Sequence, residues 1–119
     1  MQIIREVYFY KRYFLDFYES QNALVQLKIE WTIQLIQTNA MVPKKYFKHL
    51  EGQEGLYEMR IEYQGNTFRV FCFFDEGKWV VLCNGFQKKT NKTPKREIER
   101  AVKIKKDYYD EKGKTDDWF

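Results

Sequence analysis

The chain has 119 residues, of which 44% are hydrophobic, 32% charged and 18% aromatic, a size and balance that suit one domain with a modest core. The mean hydropathy of −0.69, with no apolar run near the ~20 residues of a spanning helix, argues against insertion in a membrane. The net charge of +4 is mild but segregated: Phe86 to Lys106 carries nine basic and two acidic residues, a net +7, whereas Asp107 to Phe119 carries a net −3.

Ile3 to Tyr10 is rich in β-branched and aromatic residues and predicts a strand. Lys11 to Glu19, with Phe14, Leu15 and Phe17, predicts a short helix. Asn22 to Thr38 carries two patterns. Val25, Leu27, Ile29, Trp31, Ile33 and Leu35 alternate as in a strand, yet eleven residues is long for one. Leu24, Leu27 or Lys28, Trp31 and Leu35 form a helical stripe, and Ser20 or Asn22 supplies an N-cap. The Gln, Lys, Glu and Leu content decides for helix. Met41 to Glu54, marked by Pro43 and Gly52, reads as a connection containing Lys44, Lys45, Lys48 and His49.

The pattern then changes to β. Leu56–Tyr63, Thr67–Phe74 and Lys78–Gly85 are three strand runs separated by the turn sequences Gln64-Gly65-Asn66 and Asp75-Glu76-Gly77, which predicts an antiparallel meander. The last element starts at Thr93-Pro94, with Thr93 as cap and Pro94 at the first helical position. Arg96 stands where a capping box wants an acid. Ile98, Ala101, Val102 and Tyr109 are expected to face inward, Gly113 to end the helix, and residues from about 114 to 119 to form a loose tail. The order is strand, two helices, meander, helix: one α+β domain over 1–119, with the first strand completing a four-stranded sheet.

Chemistry-bearing residues are few. Cys72 and Cys83 lie in apolar runs and read as buried thiols in a reducing compartment. Two Cys and one His do not make a four-ligand zinc site without carboxylates, so no metal and no cofactor is expected. The N-terminus lacks a charged segment followed by an apolar one, so a cytoplasmic protein is expected. The basic segregation points to a polyanion-facing surface, with a solvated helix face as the plain alternative.

Three runs carry a resemblance. The first is Lys48-His49-Leu50-Glu51 with Gly55-Leu56-Tyr57-Glu58-Met59-Arg60-Ile61. The second is Phe68-Arg69-Val70-Phe71, continuing to Phe73-Phe74-Asp75-Glu76-Gly77. The third is Leu82-Cys83-Asn84-Gly85-Phe86-Gln87-Lys88-Lys89-Thr90-Asn91-Lys92-Thr93-Pro94, followed by Glu97-Ile98-Glu99-Arg100-Ala101. Together they resemble the RelE/ParE toxin superfamily, and within it the phage-derived, HigB-like branch of type II toxin–antitoxin systems. The resemblance spans Lys44 to Tyr109. It implies a RelE-like fold, a ribosome-dependent mRNA endoribonuclease, contact with mRNA and rRNA, and a helix-turn-helix antitoxin as partner.

Carried over residue by residue, the resemblance makes Arg60, Arg69, Lys88 and Lys89 the cationic catalytic candidates. Cleavage by the 2′-hydroxyl needs a proton acceptor, neutralisation of charge at the five-coordinate phosphorus, and help for the departing 5′-oxygen. Without a metal, Arg and Lys carry the charge term. Arg60 and Arg69 are expected on neighbouring strands and one face, and pairing with Glu58, Glu62 or the acidic tail is the structural alternative. His49, the one histidine, and Glu58, which alternation puts on the face of Arg60, are the proton-transfer candidates. Lys44, Lys45, Lys92, Lys95, Arg96 and Arg100 are expected to contact RNA or the ribosome. A ParE-like gyrase poison and a non-catalytic RNA-binding module are the competing readings.

Overall fold

The computed structural model describes residues 2–53 and 55–116, with side chains as far as residue 113. Its elements are β1 (Glu6–Phe9), α1 (Tyr13–Glu19), α2 (Ala23–Thr38), β2 (Phe47–His49), β3 (Tyr57–Tyr63), β4 (Asn66–Asp75), β5 (Trp79–Lys88) and α3 (Lys95–Asp116). The expected α+β class holds, but the sheet has five strands, in the order β1-β5-β4-β3-β2. The additional strand is β2, inside the stretch read as a connection. It is three residues long and pairs antiparallel with β3, so it exists through tertiary pairing and leaves little local signature. The first strand does join the meander, running parallel to β5. Glu54 of the expected connection lies outside the described residues.

The β3–β4 hairpin closes through a two-residue loop, with Tyr63 opposite Asn66. Gln64 and Gly65 both have positive φ, 48° and 80°. This is the backbone of a primed turn, which matches the twist of the flanking strands.

Alternation along the strands sorts two cores. On one face Met59, Ile61, Phe68, Val70, Cys72, Val80 and Leu82 pack against Phe14 and Phe17 of α1 and Val25, Ile29 and Ile36 of α2. On the other, Phe71, Phe73, Val81, Cys83 and Phe86 pack against Ala101 and Ile104 of α3. α1 lies so close to β5 that a Cβ at Gly85 would sit 2.4 Å from the Phe17 ring, which restricts that position to glycine.

Asn22 caps α2 by accepting a hydrogen bond from the Val25 amide at 2.9 Å. Its buried residues are Val25, Ile29, Thr32 and Ile36. The stripe of Leu24, Leu27 and Trp31 therefore faces outward, and these residues are 56%, 60% and 45% exposed. In α3 the inward residues are Ala101 and Ile104, with Ile98 and Tyr108 packed beside them. Val102 and Tyr109, expected inside, are exposed. The first backbone acceptor of α3 is the Pro94 carbonyl, which receives the Ile98 amide. That places the cap at Pro94 instead of Thr93. Gly113 does not stop the helix, which continues to Asp116. A solvated helix with i,i+4 pairs such as Lys103–Asp107 and Lys106–Asp110 tolerates one glycine for about 1 kcal/mol. The remainder of the acidic tail, 117–119, lies outside the described residues. Among the described residues no helix is long and apolar enough to cross a membrane.

Candidate functional site

A β-bulge builds the site. Val70 pairs with Gly85 and Cys72 with Leu82, so the single residue Phe71 on β4 faces two on β5, Cys83 and Asn84. The inserted residue reverses the alternation downstream of it. Phe86 consequently packs beside Phe71 on the α3 face, with ring centroids 5.3 Å apart. Two residues on, Lys88 takes the same face. Asn84, fully buried at the bulge, donates through Nδ2 to the Glu97 carbonyl at 3.1 Å and to Glu97 Oε1 at 3.0 Å, tying the first turn of α3 to β5.

α3 covers Phe71, Phe73, Val81 and Cys83. The sheet nearer the β3–β4 hairpin carries a different set on that face. Arg60 and Arg69 are directly opposed across the β3–β4 ladder, and Glu58 is opposed to Phe71. Lys48 of β2 is opposed to Glu58, and Lys88 is opposed to Thr67. The face thus assembles Lys48, Arg60, Arg69 and Lys88 around one buried carboxylate, with Glu62 exposed at its margin.

The carboxylate is paired through one oxygen. Arg69 Nε donates to Glu58 Oε1 at 3.0 Å, and the two side chains are 3% and 10% exposed. Arg69 also donates from Nη1 to the Phe68 carbonyl at 3.2 Å. The structural alternative of an ion pair is thus realised for Arg69, and its partner is Glu58. Among the described residues Arg60 holds only the Lys44 carbonyl, at 3.4 Å, and its Nε is buried with no partner there. Burial lowers the pKa of Arg69, and the charge of Arg60 lowers it further. Burial likewise lowers that of Lys88, reinforced by Arg69. Two cations whose charged forms are disfavoured in one cluster make a site that gains from an anion.

The other expected residues fall outside this cluster. His49 is exposed and opposed to Tyr57, with its ring 5.1 Å from the Tyr57 ring. Tyr57 packs on the α1–α2 side, so His49 looks away from Arg60. Lys48, its neighbour, holds the position facing the cluster. Sequence reasoning left Lys48 out of the site because β2 was not seen, although period-two alternation would have selected it once β2 was known. Lys89 and Lys92 are exposed in the segment after β5. Lys44 and Lys45 form the exposed turn before β2, adjoining Arg60 through the Lys44 carbonyl. Lys95 pairs with Glu99, and Arg96 with Glu97 at 3.9 Å. Arg100 lies over the Tyr13 ring.

The cysteines are buried free thiols. Burial pushes Cys83 up to about 12 and Cys72 well above its ordinary value, so neither is a nucleophile at neutral pH. Among the described residues no cluster of three His, Cys, Asp or Glu side chains is placed to hold a metal ion.

No curated protein matches this chain. The family model described as Phage derived protein Gp49-like (DUF891) matches residues 16–106, a span that includes every member of the cationic cluster. The chain belongs to that phage-derived, Gp49-like family, which is associated with RelE-like toxins.

Proposed function

We propose that this protein is the toxin of a type II toxin–antitoxin system, HigB-like within the RelE superfamily, and that it cleaves mRNA on the ribosome. The observation that carries the reading is the cluster of Lys48, Arg60, Arg69 and Lys88, in which the one buried carboxylate, Glu58, is already paired with Arg69. Four cations against one buried carboxylate on part of a sheet face are costly to fold and suited to a phosphodiester. The family's association with toxins supports the same reading.

In the proposed chemistry the 2′-oxygen attacks phosphorus and the bond from phosphorus to the 5′-oxygen breaks. The products are a 2′,3′-cyclic phosphate and a 5′-hydroxyl end. Arg60 and Lys88, with Lys48 beside them, neutralise the charge that grows on the phosphoryl oxygens. Glu58, fixed by Arg69, accepts the 2′ proton, which is subsequently delivered to the 5′-oxygen. Arg69 is a positioning residue, since at 3% exposure it holds Glu58 and sets the local field. Lys44, Lys45 and Lys92 with the exposed side of α3 contact rRNA, and a helix-turn-helix antitoxin is the partner that keeps the toxin silent. The protein acts in the cytoplasm, where its ribosome is.

Purified protein added to translating ribosomes tests the chemistry: mRNA with new 5′-hydroxyl ends and cyclic-phosphate 3′ ends supports it. Intact mRNA overturns it.

A further inference from the structure

A second surface feature lies outside the cluster, where α2 meets the turn that precedes β2. The Trp31 ring of α2 and the Tyr46 ring meet edge to face, with centroids 5.2 Å apart. Each carries a lysine: Lys28 Nζ lies 4.9 Å from the Trp31 centroid and Lys45 Nζ 5.6 Å from that of Tyr46. Trp31 is 45% exposed despite this packing. It also lines a shallow depression of about 210 Å³ together with Gln34, Leu35, Thr38 and Asn39. That volume is below the ~300 Å³ at which pockets for cofactors and drug-sized ligands begin, and it suits one planar ring system. The same turn connects to the cluster, because the Arg60 amide donates to the Tyr46 carbonyl at 2.8 Å and Arg60 Nη1 reaches the Lys44 carbonyl.

We infer that Trp31 is the stacking platform for one unpaired base of single-stranded RNA, with Lys28 and Lys45 on the flanking phosphates. This rests on the proposed RNA-directed function and adds to it a binding site on α2. An aromatic face interleaved with lysines is the arrangement by which single strands are held without duplex geometry. A base stacked on the indole outweighs an exposed ammonium over the same ring. Binding thus displaces Lys28 from the ring towards the phosphate, and its flexible stem allows the swing. A protein partner would find apolar surface at Leu24 and Leu27, but the two lysines over the rings favour a nucleotide.

The test is fluorescence polarisation of a labelled single-stranded RNA octamer on the full chain, with the tryptophan emission followed in parallel. Wild type should bind the octamer better than the same octamer annealed to its complement, and its emission should be quenched on binding. Trp31→Leu should weaken binding about tenfold. Trp31→Phe should keep the affinity within about threefold while losing the quench, since a ring replaces a ring. The inference is overturned by equal affinity of Trp31→Leu and wild type, by a quench that persists in Trp31→Phe, or by equal binding of the duplex. A Trp31→Leu chain with unchanged octamer affinity but altered sedimentation would assign the surface to protein contacts instead. If the octamer result holds while ribosome-dependent cleavage is absent, the nuclease reading fails and the stacking site stands. If cleavage is present and Trp31→Leu binds normally, the reverse is true.

Discussion

Arg60 and Arg69 stand directly opposite one another in the β3–β4 ladder, a placement in which two like charges repel. The pair persists because Glu58 shares their face and receives Arg69 Nε at 3.0 Å. One arginine is thereby neutralised inside the sheet, and the other is left with a backbone carbonyl at 3.4 Å.

Breaking the buried pair from either side should therefore destabilise the fold. Arg69→Ala leaves Glu58 buried without its hydrogen-bonded counter-charge and should cost about 3 kcal/mol, and Glu58→Gln leaves Arg69 facing Arg60 and should cost a similar amount. The double variant Glu58→Gln/Arg69→Met should recover most of the loss, to within ~1 kcal/mol of wild type. Urea unfolding measures all three. Strictly additive losses would show that the pair is not coupled. For the same reason Arg69→Ala is a poor probe of activity, because lost cleavage could simply report lost fold.

The cluster should bind oxyanions. Lys88 has its pKa lowered by burial and by Arg69, so the unfolded chain holds that proton more tightly than the folded one. The resulting destabilisation is fully present at neutral pH, falls as the pH rises through the lowered folded pKa and is gone above the ordinary lysine value. Lys88→Met should then leave stability unchanged or raise it by roughly 0.5 kcal/mol. Sulfate should raise the melting temperature of wild type relative to chloride at matched ionic strength, and Arg60→Ala/Lys88→Met should lose most of that increment. A shift retained in full by the double variant would place the anion elsewhere.

A separate network should govern the acid limb of stability. Burial pushes the Asp75 carboxyl up, but hydrogen bonds from Tyr108 Oη at 2.6 Å and Lys112 Nζ at 2.9 Å outweigh it. The net pKa lies below the ordinary value. A depressed carboxyl contributes stability that is present above its unfolded pKa and is lost as pH falls through its folded one. Asp75→Asn should cost about 2 kcal/mol at neutral pH and flatten the fall in stability below pH ~4. Chemical denaturation across pH 3 to 7 reads both effects, and parallel curves for variant and wild type would contradict them.

What the sequence disclosed and what it hid follow from range. The capped helix at Asn22, the existence of a turn at Gln64-Gly65-Asn66 and the neighbouring arginines depend on neighbours in the chain or on one hairpin, and all were legible. The buried face of α2 was not. Its alternating apolar residues supply two stripes, and only packing against β3 decides that Val25, Ile29 and Ile36 go in while Leu27 and Trp31 stay out. β2 was hidden because three residues have no pattern of their own, and with it went Lys48. The bulge at Cys83 and Asn84 was equally invisible, yet it gives Lys88 and not Gln87 to the cluster. Val102 and Tyr109 were misread because Ile104 and Tyr108 are equally good anchors one or two residues away.

Cleavage of RNA at the proposed Arg60–Lys88 surface is tested by induced expression in a bacterial host with primer extension on several transcripts. Wild type should arrest growth and leave discrete in-frame breaks, and Arg60→Ala/Lys88→Met, expressed to the same level and folded, should do neither. Growth arrest without breaks would contradict the nuclease and direct attention to gyrase, and breaks undiminished in the double variant would contradict the assignment of the site.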